Sequence, residues 1–161
     1  MADNNASAGV LGSDAYSPAE IQDKVEKLGV KKARMPFLPE FMLSIVAGGS
    51  IGLGGMFFVI VLADAGLGFA IQRVLGGTVF SLGLALVMIA GAELFTGNNL
   101  IVMAWADRHI RTAELLRNWA IVYAGNLVGA LGIVVLAFAS GWYRNGGGSV
   151  GLLALTTAAG K

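Results

Sequence analysis

The chain has 161 residues, of which 56% are hydrophobic and only 13% charged, with a mean hydropathy of +0.73. A water-soluble core of this size has no room for so much apolar surface, so the composition predicts an all-α integral membrane protein. A net charge of +1, spread in short clusters, argues against a nucleic-acid partner, and the lack of cysteine removes disulfides and thiolate metal sites.

The first forty residues are polar and mixed in charge, without the basic start, apolar core and small-residue cleavage site of a secretory signal. Within them Ser17 and Pro18 read as an N-cap and first helical residue. Ile21, Val25 and Leu28 then recur at helical spacing before Gly29. A short amphipathic helix is predicted, either resting on lipid headgroups or plugging a pore from below.

Three apolar segments follow, each set against the roughly twenty helical residues that cross a hydrocarbon layer. The first runs from about Phe41 to Leu62 and is rich in glycine, with Gly48 and Gly52 spaced to let a neighbouring helix approach. A second begins near Leu75, meets Gly91, Glu93, Thr96, Gly97, Asn98 and Asn99, and resumes as Leu100 to Trp105. A continuous helix fits this segment badly, and a break near 91–99 is predicted. The third extends from about Leu115 to Ser140, with Trp119 and Tyr123 near one end and Trp142 and Tyr143 at the other, where amphipathic rings favour the interface. Val150 to Ala159 is too short to span and would line or cap an outer vestibule.

Basic residues set the orientation. Lys24, Lys27, Lys31, Lys32 and Arg34 precede the first span, and Arg108, Arg111 and Arg117 flank the connection to the third. The positive-inside tendency places these in the cytoplasm, together with the amino terminus. The predicted organisation is therefore a cytoplasmic segment over 1–37, a three-span membrane unit over 38–145 and an extracytoplasmic segment over 146–161.

Non-helical backbone at membrane depth is tolerated only where protein buries it or a watery cavity meets it, so the break carries the functional argument. Glu93 is expensive in lipid; a structural hydrogen bond or a helix-dipole contact suits it better than an anion path, whose cargo it would repel. Asn98 and Asn99 read as caps of the half-helix ends, and Thr96 as the better pathway candidate. His109, the only histidine, lies between charged residues in a loop and reads as solvated. No nucleophile with a base and no metal cluster appears, and Gly146 to Gly148 lacks the pattern of a phosphate loop, so neither an enzyme nor a cofactor is expected.

The stretch Ile89 to Asn99, IAGAELFTGNN, resembles the first signature of the formate/nitrite transporters. Asn118-Trp119, Tyr123 and the run Gly125-Asn126-Leu127-Val128-Gly129-Ala130 are similar to the third helix of that family's formate channels. The resemblance covers Tyr16 to Lys161. It implies an aquaporin-like helical half-repeat with an interrupted second transmembrane helix, a homopentamer with one pore per protomer, and residence in the bacterial cytoplasmic membrane.

Residue by residue, it implies a cytoplasmic constriction at Leu84 and Leu94, with Phe95 in the same interrupting loop. It places Phe80 at the periplasmic constriction, Thr96 at the pore centre, Lys161 at the outer vestibule, and Glu93, Asn98, Asn99 and Asn126 as structural polar groups around the break. Apolar gates suit a small weak acid, because desolvation penalises the anion far more than its neutral form.

Family members have six spans in two inverted halves, and only the first half is recognised here. The family's central histidine belongs to the other half, which is expected as a partner on a longer, cleaved or separate chain. Formate is the first-choice substrate, with nitrite or hydrosulfide as alternatives. A non-transporting membrane scaffold built on the paired glycines is the competing class.

Overall fold

The computed structural model describes residues 16–64 and 66–160; Lys161 lies outside them. The described residues form helices and turns. Helix α1 covers Pro18–Ala33, α2 Phe37–Ala63, α3 Phe69–Ala90, α4 Phe95–Asn98, α5 Ile101–Ala106, α6 Thr112–Ala139 and α7 Ser149–Ala159, with a short tight turn over Trp142–Gly148 before the last.

Three of these, α2, α3 and α6, are long and apolar enough to cross a membrane, with 27, 22 and 28 residues respectively. At 1.5 Å per residue α6 alone is about 42 Å long. The second apolar segment is longer than the hydropathy pattern predicts, because α3 starts at Phe69, before Leu75, and keeps Arg73 on its first turns with the guanidinium over the Phe69 ring. The break itself falls where the glycine signal places it. Gly91 ends α3 in the left-handed conformation at φ 58°, which glycine adopts without the Cβ clash other residues suffer.

Helix α2 stands in the middle and packs on both α3 and α6. Its glycines explain how closely. A Cβ at Gly48 would collide with the backbone carbonyl of Asn126 on α6, and one at Gly129 with the carbonyl of Ile45 on α2. On the other side a Cβ at Gly54 would come within 2.8 Å of the Phe80 carbonyl, and one at Gly83 within 2.8 Å of the Ser50 carbonyl. Backbone touches backbone at both crossings, the arrangement that small residues permit in lipid.

Helix α1 begins as its sequence predicts. Ser17 accepts from the Glu20 N–H at 3.4 Å while the Glu20 carboxylate accepts from the Ser17 N–H at 2.7 Å, a complete capping box. It ends later than predicted: Gly29 continues the helix to Ala33. A Cβ at Gly29 would sit 3.1 Å from that of Ala104, so this glycine serves a helix crossing with α5 and not a C-cap. Ala33, Ile101, Ala104, Ile110 and Leu115 form the buried cluster beneath it. Helix α1 is thus docked on α5, while Ile21 and Leu28 of its apolar stripe stay exposed.

The Ser17 N–H, above all, holds the Glu20 carboxyl below its ordinary range. A group depressed in the folded helix adds stability above its unfolded value and loses it as pH falls through the carboxylate range. Acidification through that range is therefore expected to fray the first turn of α1, and Ser17→Ala to fray it at neutral pH, both read as faster amide hydrogen exchange near Glu20.

Candidate functional site

The four residues Gly91 to Leu94 break the chain between α3 and the one-turn helix α4. This backbone must find partners inside the protein, since a lone buried amide costs about 1–3 kcal/mol. Gly91 and Ala92 donate back to the carbonyls of Met88 and Val87 at the end of α3, and Asn126 braces the rest. Its Oδ1 accepts from the Phe95 N–H at 2.9 Å, and its Nδ2 donates to the carbonyls of Glu93 at 2.9 Å and Ser44 at 2.8 Å. The Glu93 N–H donates in turn to the Leu43 carbonyl at 3.3 Å. Asn126 is fourteen residues into α6, about 21 Å along an axis of about 42 Å, so the break sits level with the middle of the longest span.

From here a chain of polar groups descends to the ends of α2 and α6 nearest α1. Glu93 is 3% exposed and pairs with Lys32 of α1, Nζ to Oε2 at 2.9 Å; the same ammonium donates to Asn98 Oδ1 at 3.0 Å. Asn98 Nδ2 donates to Asn118 Oδ1 at 3.1 Å, and Asn118 Nδ2 donates to Glu40 Oε1 at 2.7 Å. Glu40, fully buried near the start of α2, takes its counterion from Arg117, Nη1 to Oε2 at 3.1 Å. Two carboxylates, two cations and two amides form one connected set in which every ionised group has a partner of opposite sign.

The sequence-predicted residues divide into two sets. Glu93, Asn98 and Asn126 belong to this internal network. The expected capping role of Asn98 is corrected, because its side chain joins Lys32 and Asn118 while the helix start at Phe95 is held by Asn126. Asn99 is exposed and stands at the C-cap of α4, where its backbone N–H donates to the Phe95 carbonyl at 3.1 Å; its side chain makes no hydrogen bond among the described residues. Thr96 and Gly97 are exposed beside it, and neither N–H has a partner among the described residues. Leu84 and Phe80 lie on α3 at 47% and 41% exposure. Leu94 is half-buried against Ala47, Val87 and Ala92.

Phe95 packs edge-on against Trp119 and Tyr123, with centroids 6.2 Å and 5.7 Å away. Trp119 also donates to the Asn98 carbonyl at 3.2 Å, so it fastens the end of α4 to α6, a role its sequence position does not announce. A recess of about 640 Å³ lies elsewhere, between α2, α6 and α7, and none of the predicted pathway residues lines it.

Sequence reasoning missed Lys32, Glu40, Arg117 and Ser44 as members of the network. In the sequence Lys32 shows only as positive-inside charge, and Glu40 stands just outside the first apolar segment. The available signal was an unpaired carboxylate, Glu93, inside a membrane segment, which demands a cation from elsewhere in the chain. His109 is exposed in the loop, as predicted, with Nδ1 3.9 Å from Glu26 Oε2.

Residues 19–161 match the formate/nitrite transporter family. The chain is 40% identical over 150 residues to the formate channel FocA of Haemophilus influenzae, covering 92% of this chain and 52% of that protein. It is 41% identical over 146 residues to the formate channel FocA of Escherichia coli K12, covering 90% and 51% respectively. Among solved structures, a pentameric formate channel with formate bound superposes with a TM-score of 0.64 at 36% identity, over 73% of this chain and 47% of that one. An ion channel of the same family superposes at 0.68 with 26% identity, over 76% and 50%. The chain spans about half the length of the curated relatives it matches.

Proposed function

The chain belongs to the formate/nitrite transporter family, and on that premise we propose that it builds the first half of a channel passing formate across the bacterial cytoplasmic membrane. The observation that carries this reading is the break at mid-span, braced from behind by Asn126 at the Glu93 carbonyl and the Phe95 N–H while Thr96 stays exposed in front. A scaffold has no need to hold such a break at membrane depth. Nitrite and hydrosulfide share formate's charge and size, and the names of the relatives favour formate.

In this reading Thr96 stands at the pore centre, flanked by apolar constrictions at Leu84 and Leu94 with Phe95 on one side and Phe80 on the other. Lys161 would draw anions to the outer vestibule. The exposure of Leu84, Phe80 and Thr96 on this half suits residues awaiting an opposed wall. That wall is the second, inverted half, and five protomers complete the assembly. The segment over 1–37 then faces the cytoplasm, 38–145 crosses the membrane, and 146–161 lies outside. Passage needs no covalent chemistry: the hydroxyl and the free amides near Thr96 replace part of an anion's hydration, and the apolar rings reject whatever keeps its full charge.

The test is formate flux into liposomes bearing the assembled transporter. Thr96→Val keeps the shape and removes the hydroxyl, and should slow formate about tenfold, the factor that about 1.4 kcal/mol of one hydrogen bond represents. Thr96→Ser should retain most of the rate. Equal flux through the valine and serine variants would remove Thr96 from the pathway.

A further inference from the structure

The arginines at the α1 end of the bundle are not equivalent. Arg34 pairs with Glu114 at 3.2 Å and Arg117 with Glu40 at 3.1 Å, whereas Arg108 and Arg111 form no ion pair among the described residues. Both line one recess of about 460 Å³ between the end of α5 and the start of α6, with Trp105, Ile110 and Thr112. Its wall is fixed: Trp105 Nε1 donates to Thr112 Oγ1 at 3.0 Å, and Ile110 is buried in the core cluster. Arg108 is held at φ 60°, the single non-glycine residue with positive φ among those described.

We propose that this recess binds the headgroup of an anionic phospholipid, with Arg108 and Arg111 on its phosphate. The placement distinguishes a lipid from a soluble phosphate. One turn deeper on each flanking helix stands an exposed apolar residue, Val102 at 40% on α5 and Leu116 at 55% on α6. Outside the lining of the recess itself, these two would meet acyl chains below a headgroup seated between the arginines. The nearby carboxylates leave the site basic: Glu114 is engaged by Arg34 and by the Arg111 N–H, and Asp107, exposed beside Arg108, offsets one charge of the two. This site is independent of what the channel carries.

The assembled protein, purified in detergent and offered phosphatidylglycerol or phosphatidylcholine at fixed salt, reports the site by native mass spectrometry. Wild type should retain phosphatidylglycerol and release phosphatidylcholine, and R108Q/R111Q should retain about thirtyfold less phosphatidylglycerol, as two interfacial cations imply. R108G separates binding from folding. Glycine adopts φ 60° freely, so this variant should lose several-fold in lipid retention with no fall in unfolding temperature. Retention of phosphatidylglycerol by R108Q/R111Q at the wild-type level would overturn the proposal. So would equal retention of phosphatidylcholine by wild type, or displacement of the lipid by millimolar glycerol phosphate, which would make the site a reader of free phosphate.

Discussion

Lys32→Met is expected to destabilise the protein by about 3 kcal/mol, because it strands the buried Glu93 carboxylate without its cation. Glu93 is 3% exposed and its pair with Lys32 spans 2.9 Å, so the carboxylate itself has little access to water once the ammonium is gone. The loss should appear as a lower unfolding temperature in detergent and as faster amide exchange at the break. Adding Glu93→Gln to the same chain removes the stranded charge and should recover most of the stability, making the two substitutions strongly non-additive. Glu93→Gln alone leaves Lys32, whose side chain is 31% exposed, able to reach water, and should cost less than Lys32→Met. If Lys32→Met cost no more than an exposed ion pair does, under about 1 kcal/mol, the network would not hold the break.

That network divides what could be read in the chain from what could not. The three spans, the N-cap at Ser17 and the break near Gly91 all follow from local signals: hydrophobic run length, a serine before a proline ahead of an apolar repeat, and glycines beside polar groups in an apolar segment. Each depends on residues near one another in sequence. The partners of the break do not. Lys32 lies 61 residues from Glu93, and Asn118 lies 78 from Glu40. Nothing in the local pattern marks Glu40, one residue before an apolar run, as buried. Trp119 has a second role that its position does not announce. An indole early in a membrane helix matches the interfacial belt, yet here its N–H is spent on the Asn98 carbonyl, because α4 passes beside that turn of α6. The residues proposed for the pathway form a third class. Phe80, Leu84 and Thr96 are exposed on this half, and their surroundings belong to whatever faces them.

The close crossing of α2 and α6 ties stability to the site, and glycine substitutions separate the two kinds of glycine in α2. Gly48→Ala places its methyl against the Asn126 backbone, where no side-chain rotation relieves the clash, and is expected to cost about 3 kcal/mol or more. Gly55→Ala meets nothing within 4 Å and should be neutral or gain up to about 1 kcal/mol from helix propensity. The consequence of Gly48→Ala reaches further than stability, because the displaced residue is Asn126. Moving its backbone withdraws the side chain that satisfies the Phe95 N–H and the Glu93 and Ser44 carbonyls, so the break should loosen and flux fall together with unfolding temperature. Gly129→Ala strikes the Ile45 carbonyl from the opposite helix and should reproduce both losses. Paired measurement of unfolding temperature and flux across the three variants decides the point. Gly48→Ala and Gly55→Ala behaving alike would mean that α2 and α6 cross with more room than backbone contact allows.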